Sequence, residues 1–338
     1  MKLGTTDMDI SRTGFGSWGI SGANWRWSWG GQDDADSIAA IRHAAEQGVN
    51  WIDTAAVYGY GHSEEVVGKA VAGLSERPYL FTKAGLVWDP ADPDATPRRI
   101  MSQVRREVED SLRRLGVEAI DLYQVHWPDT GESLDWDSLG AGGPSPNATP
   151  LEEYWQTMAD LKAEGKVRAI GLSNHSVAEL EIAERVAHVD AIQPPFSALN
   201  RSAAPEIAWA AEHGTGVIVY SPMESGLLAG RFSAERVASL PDGDWRKTHP
   251  SFTTGLAARL AVTDALRPVA ARHGVSVAAV AVAWTLAWPG ITGAIVGARD
   301  ASQVDGWLPA GRLTLTAEDL AEITTAIQAS ATEGPVTP

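Results

Sequence analysis

The chain has 338 residues, of which 44% are hydrophobic and 21% charged, the profile of a globular protein with a sizeable core. Its 27 basic and 43 acidic residues leave a net charge of −16, which argues against a nucleic-acid-coating role and against adhesion to anionic lipid. It has no cysteine, so disulfides, thiolate nucleophiles and cysteine metal sites are excluded. The N-terminal segment MKLGTTDMDISRTGFG lacks a signal-peptide core, no apolar run reaches membrane-spanning length, and the expected location is cytoplasmic.

Eight short β-branched or apolar runs read as strands: Thr13–Trp18, Asn50–Thr54, Tyr79–Lys83, Ile120–His126, Ala169–Ser173, Ala191–Gln193, Gly216–Ser221 and Gly293–Gly297. Helical patterns lie between them at Asp34–Gln47, Ser63–Ala72, Pro97–Leu115, Leu151–Glu164, Val177–Arg185, Pro205–His213, Ala257–His273 and Ser276–Trp288. Two more, Ala301–Leu308 and Ala317–Ala329, follow the last strand. Thr96-Pro97 and Thr149-Pro150 place a capping hydroxyl before a proline at the first helical position, where the missing N–H costs nothing. Thr149 with Glu152 and Ser176 with Glu179 have capping-box spacing, and Gly48, Gly116, Gly165 and Gly214 stand where helices should stop. Eight strand–helix alternations predict an α/β fold, a (β/α)8 TIM barrel, over the rival open doubly wound sheet. A single domain over 1–330 and a flexible tail over 331–338 are expected. Three long connections, 18–33, 128–150 and 222–255, all follow strands and fall on the C-terminal face, where barrel enzymes place their chemistry.

The second, third and fourth strands end NWIDTAAVYGYG, LFTKAG and LYQVHWPD, which brings Asp53, Tyr58, Lys83 and His126 to one mouth. A free phenol titrates near 10 and is a poor proton donor at neutral pH. A nearby ammonium is expected to lower it, a carboxylate to hold the ammonium, and a neutral histidine to orient a carbonyl oxygen. Taken singly each has a plain alternative. Lysines at strand ends are ordinarily solvated, Asp53 fits a turn cap, His126 a barrel-rim histidine, and Tyr58, between glycines, packing beside a tight turn. Their coincidence at three successive strand ends favours carbonyl chemistry.

GVNWIDTAAVYG, FTKAG and VHWPD resemble the signature segments of the aldo-keto reductase family, and the resemblance runs from the first strand to the last helix. It implies a (β/α)8 barrel that reduces an aldehyde or ketone with NADP(H). Tyr58 is then the general acid, Lys83 and Asp53 its tuners, and His126 the orienting residue. GLSN, with Ser173 and Asn174, and Gln193 resemble the holders of the nicotinamide carboxamide. Phe196, in QPPFSALNR, stands where the family has a tyrosine for the ring to stack on. SPMESGLLAGRF resembles the pyrophosphate loop, with Ser221, Pro222, Met223 and Gly226 lining it and Arg231 in place of the usual lysine. GARDASQV resembles the adenosine-phosphate segment, with Gly297, Arg299 and Gln303 in binding positions. A forked arginine contact there favours NADP over NAD. Ser17 and Trp18, in GSWG, and Gln32 resemble further cofactor contacts. Trp307 replaces the asparagine usual near the adenine and reads either as a stacking substitute or as helix packing.

Fourteen tryptophans are present, and Trp25, Trp27, Trp29, Trp88 and Trp127 follow strands at the mouth. An aromatic wall there suits aromatic aldehydes or sugar rings equally, against the alternative that some simply pack the loops. The eight histidines have no metal-binding spacing, and no metal is expected. Two rival functions remain: the same reaction run oxidatively, as a sugar or alcohol dehydrogenase, and a non-catalytic nicotinamide-binding sensor or accessory subunit. The intact tetrad favours the enzyme.

Overall fold

A computed structural model describes residues 1–22, 25, 27–91, 96–131, 148–242, 244–330 and 334–336. Ten strands are present among the described residues: β1 Thr13–Gly16, β2 Trp51–Asp53, β3 Tyr79–Ala84, β4 Leu86–Val87, β5 Arg98–Arg99, β6 Ile120–Val125, β7 Val167–Ser173, β8 Ala191–Gln193, β9 Gly216–Val219 and β10 Gly293–Gly297. Eight of them close into a barrel in the order β1-β10-β9-β8-β7-β6-β3-β2, every neighbouring pair parallel. The helices are α1 Asp34–Glu46, α2 His62–Val71, α3 Val104–Leu115, α4 Leu151–Ala163, α5 Val177–Val186, α6 Ala204–His213, α7 Ala234–Ala238, α8 Leu256–His273, α9 Val277–Ala287, α10 Ala301–Trp307 and α11 Ala317–Ala329. The chain therefore adopts the expected (β/α)8 barrel, and each of the eight expected strands forms. No single described helix is long and apolar enough to cross a membrane.

The period-2 alternation of the strands explains how the barrel is filled. Trp51, Phe81, Leu122, Ala169, Ala191, Ile218 and Ile295 form one apolar layer inside it, sealed from below by Leu3, Met8 and Ile10 of the N-terminal turn. Two residues further along the strands from Trp51, Phe81, Leu122, Ala191 and Ile218 stand Asp53, Lys83, Gln124, Gln193 and Tyr220. A polar layer thus lies directly above an apolar one, towards the strand ends. Gly14 makes room for the floor: a Cβ there would lie 2.2 Å from the Trp51 ring.

Two expectations about helix starts are corrected. The third helix begins at Val104 rather than Pro97, because Arg98 and Arg99 pair antiparallel with Val87 and Leu86 in a small hairpin. Asp129 and Gly131 reinforce that hairpin, Asp129 Oδ2 accepting from Met101 N at 2.7 Å and Gly131 N donating to Arg99 O. Tertiary pairing overrides the Thr96-Pro97 signal. At α4 no side chain caps the helix; the Thr149 N–H donates to Asp129 Oδ2 at 3.2 Å instead. The Ser176–Glu179 capping box forms as expected, and Gly48, Gly116, Gly165 and Gly214 all adopt positive φ at helix ends. In the tail, Pro335 and Gly334 accept hydrogen bonds from the buried Arg201.

Candidate active site

Asp53 ends β2, and Lys83 lies one residue before the end of β3. Lys83 Nζ donates to Asp53 Oδ1 at 2.6 Å and to the Thr54 carbonyl at 2.9 Å, and the two side chains are 1% and 3% exposed. Tyr58 reaches the same place from a tight turn, Tyr58–Gly61, in which Gly59, Tyr60 and Gly61 all have positive φ. Gly59 is required twice over, since its φ is +60° and a Cβ would lie 2.1 Å from the Ser21 carbonyl. Lys83 Nζ stands 5.2 Å from the centre of the Tyr58 ring, and the His126 ring meets the Tyr58 ring edge-on at 5.7 Å. The four residues expected at one mouth are brought together.

Burial dominates their electrostatics. Desolvation pushes the Tyr58 phenol well above its ordinary value, and the Asp53 charge adds to this. The lowering expected from Lys83 does not prevail, because burial and the Asp53 charge outweigh it. Tyr58 is therefore a phenol held firmly in its protonated form. Burial pulls the Lys83 ammonium down, while Asp53 opposes that shift. Burial, and then the Lys83 charge, hold His126 well below the usual histidine range, so it is a neutral imidazole.

The residues proposed from the sequence to hold a nicotinamide lie beside this group. Ser173 Oγ donates to the Gln193 carbonyl at 2.9 Å. Asn174, at φ +61°, donates through Nδ2 to the His126 carbonyl at 2.9 Å and accepts from the Tyr220 hydroxyl at 2.7 Å. Phe196 is placed elsewhere: fully buried, it stacks on Trp284 and meets Trp288 edge-on in the helical layer. The ring beside the Asn174 side chain is instead that of Tyr220, directly after β9, which the sequence reading passed over. Its signal was the strand alternation from Ile218 and its place directly before Ser221-Pro222.

Gln32, Arg299 and Gln303, from opposite ends of the chain, meet in one cluster. Arg299 Nε donates to Gln32 Oε1 at 2.7 Å, Gln32 Nε2 to the Arg299 carbonyl at 2.8 Å, and the Arg299 N–H to Gln303 Oε1 at 3.1 Å. Gly297 closes β10 just before them. Ser221 (φ +57°) and Gly226 (φ +97°) shape the loop after β9, with Pro222 and Met223 between them. Arg231 is exposed just beyond that loop. Ser17 is buried beneath the mouth and bonds the Ser63 hydroxyl at 2.8 Å. Trp307 is 1% exposed within the main hydrophobic core, which selects the packing alternative.

Four of the five mouth tryptophans, Trp25, Trp27, Trp88 and Trp127, gather with Trp18, Tyr60, Val57 and Leu86 around Tyr58. Trp18 lies edge-on to the Tyr58 ring at 5.0 Å. Trp29 does not join them. Arg246 lies over its ring at 5.2 Å, and its carbonyl accepts from Arg299.

A closed parallel barrel with a buried cluster of ionisable residues at its C-terminal mouth has the architecture of a barrel enzyme. A family model for the Aldo/keto reductase family matches residues 13–328. The chain belongs to that family, which carries out oxidoreduction between carbonyls and alcohols with a nicotinamide cofactor. It is 34% identical over 336 residues to the aldo-keto reductase YhdN of Bacillus subtilis, covering 97% of this chain and 93% of that protein. It is 31% identical to an NADH-specific methylglyoxal reductase of Escherichia coli, covering 90% of each. Among solved structures, a glycerol dehydrogenase from Gluconobacter oxydans superimposes with a TM-score of 0.84 at 34% identity, over 99% of this chain and 97% of that one.

Proposed function

We propose that the protein is an NADP(H)-dependent reductase of aldehydes or ketones, with Tyr58 as the proton donor. The observation that carries this is the buried Lys83–Asp53 pair beneath Tyr58, with a neutral His126 ring against it. The donor set fits a nicotinamide cofactor: an amide at Gln193, an aromatic face at Tyr220 in place of Phe196, and the Gln32–Arg299–Gln303 cluster for the adenosine phosphate. When bound, that cofactor supplies the hydride. The chain's own residues do the rest. His126, kept neutral, donates a hydrogen bond to the carbonyl oxygen and polarises it. Tyr58, kept protonated, delivers its proton to the same oxygen as negative charge develops there. Lys83 stabilises the phenolate left behind, and Asp53 keeps Lys83 charged and in place. The indole rings around Tyr58 exclude water and offer flat apolar faces to the substrate.

The preference for NADP over NAD is read from Arg299, whose guanidinium can fork onto a 2′-phosphate by exchanging its present carbonyl partners for the stronger anionic one. A cytoplasmic enzyme working in the reductive direction, on small carbonyl compounds, is the corresponding whole-cell reading. The names of two relatives, a methylglyoxal reductase and a glycerol dehydrogenase, support small oxygenated substrates and keep the oxidative direction as the second reading. The test is the absorbance change of NADPH and NADH with aldehydes, ketones and sugars, and of the oxidised cofactors with polyols. NADPH consumption with carbonyls is expected to dominate. Turnover only with NAD and polyols would overturn the assignment.

A further inference from the structure

Gln124, inside the LYQVHWPD segment, has been given no role so far, yet it is fully buried in the polar layer of the barrel, on the strand between those of Lys83 and Ser173. Gln193 Nε2 donates to Asp53 Oδ2 at 2.8 Å and to Gln124 Oε1 at 3.1 Å, and Gln124 Nε2 faces the same Asp53 oxygen at 3.5 Å. An ionised carboxylate only accepts, so the Gln193 atom against Asp53 has to be the amide nitrogen. That nitrogen has two hydrogens, and the second goes to Gln124. Both hydrogens of the Gln193 side-chain amide are therefore consumed inside the barrel, and only its side-chain oxygen Oε1 is left to serve a ligand.

We propose that Gln124 is a positioning residue that holds the second hydrogen of the Gln193 amide, whose orientation Asp53 sets, so that Gln193 presents an acceptor, and never a donor, to the nicotinamide carboxamide. Gln124 acts through Gln193 and does not itself touch the cofactor. The proposal rests on the reading of Gln193 as a carboxamide holder. It implies selectivity for a ring substituent bearing an N–H. With Gln124 replaced by a side chain that cannot accept, the second Gln193 hydrogen loses its partner. A modest rotation then turns that hydrogen towards the ligand, where it meets a carbonyl as readily as the Gln193 oxygen meets an amide.

The experiment measures dissociation constants by quenching of tryptophan fluorescence, without turnover, for NADP and for its 3-acetylpyridine analogue, in which a methyl ketone replaces the carboxamide. The unaltered protein is expected to bind NADP more tightly than the analogue by roughly three- to tenfold, the worth of one hydrogen bond. Gln124→Met and Gln124→Leu are expected to bring the two constants to within about twofold. Gln124→Met conserves volume and guards against a packing defect in the leucine variant. If Gln193→Ala abolishes the discrimination while both Gln124 variants keep it, the proposal is overturned and the carboxamide reading stands. If the unaltered protein does not discriminate, the carboxamide reading fails and the proposal fails with it.

Discussion

Replacing Lys83 with methionine isolates the buried pair on which the site is built. The methionine keeps the apolar stem and removes the ammonium, leaving Asp53 charged and 3% exposed, with the amides of Gln193 and Gln124 as its remaining side-chain donors. At 2.6 Å and an effective dielectric of 20, the attraction lost is about 6 kcal/mol. Part of it is offset by the desolvation that Lys83 no longer suffers, so the expected loss of stability is about 3–5 kcal/mol. At roughly 2 °C per kcal/mol for a chain of this size, Tm should fall by about 6–10 °C. The double variant Asp53→Asn/Lys83→Met removes the stranded charge as well and should recover more than half of that loss. Denaturant unfolding of the unaltered protein, both single variants and the double variant gives the coupling directly. A double variant whose loss equals the sum of the two single losses would refute the buried-pair reasoning.

Three other outcomes are expected. Burial raises the Glu107 carboxyl to about 7, above its value in the unfolded chain, so the native state binds the extra proton and stability falls as pH rises from about 4.5 through 7. Glu107→Gln should flatten that slope in urea unfolding, and an unchanged slope would assign it to other groups. Arg299→Ala should weaken binding of NADPH by at least about tenfold more than that of NADH, measured by fluorescence titration, whereas equal losses would place the 2′-phosphate elsewhere. Tyr220→Leu should weaken binding of both cofactors by roughly tenfold through the lost ring face, while Phe196→Leu should chiefly lower Tm; the reverse pattern would restore Phe196 to the mouth.

The barrel was legible because parallel, doubly buried strands are written as short apolar runs, and each run also carried its own punctuation. Asp53, Lys83 and His126 were legible because a charged or ionisable residue at the end of such a run has few structural reasons to be there. The hairpin at Arg98–Arg99 was not, since a local cap signal at Thr96-Pro97 competed with pairing to a segment that only the fold brings near. Phe196 and Tyr220 were exchanged for a related reason: both are aromatics near strand ends, and which one faces the mouth is decided by strand alternation. Gln124 was overlooked because a glutamine inside an apolar strand carries no motif, although its spacing of two from Leu122 already placed it in the polar layer. The rise in the Tyr58 pKa was the least accessible. It depends on burial and on the nearby Asp53 charge, and residue identity specifies neither.

The central claim is that Tyr58 delivers the proton, and one variant tests it most directly. Tyr58→Phe keeps the ring that packs against Trp18 and His126 and removes only the hydroxyl. The account predicts that cofactor affinity stays within about threefold, while kcat for carbonyl reduction falls by about 10²–10⁴. A Tyr58→Phe enzyme with near-normal kcat would contradict it and move the proton donor to another residue.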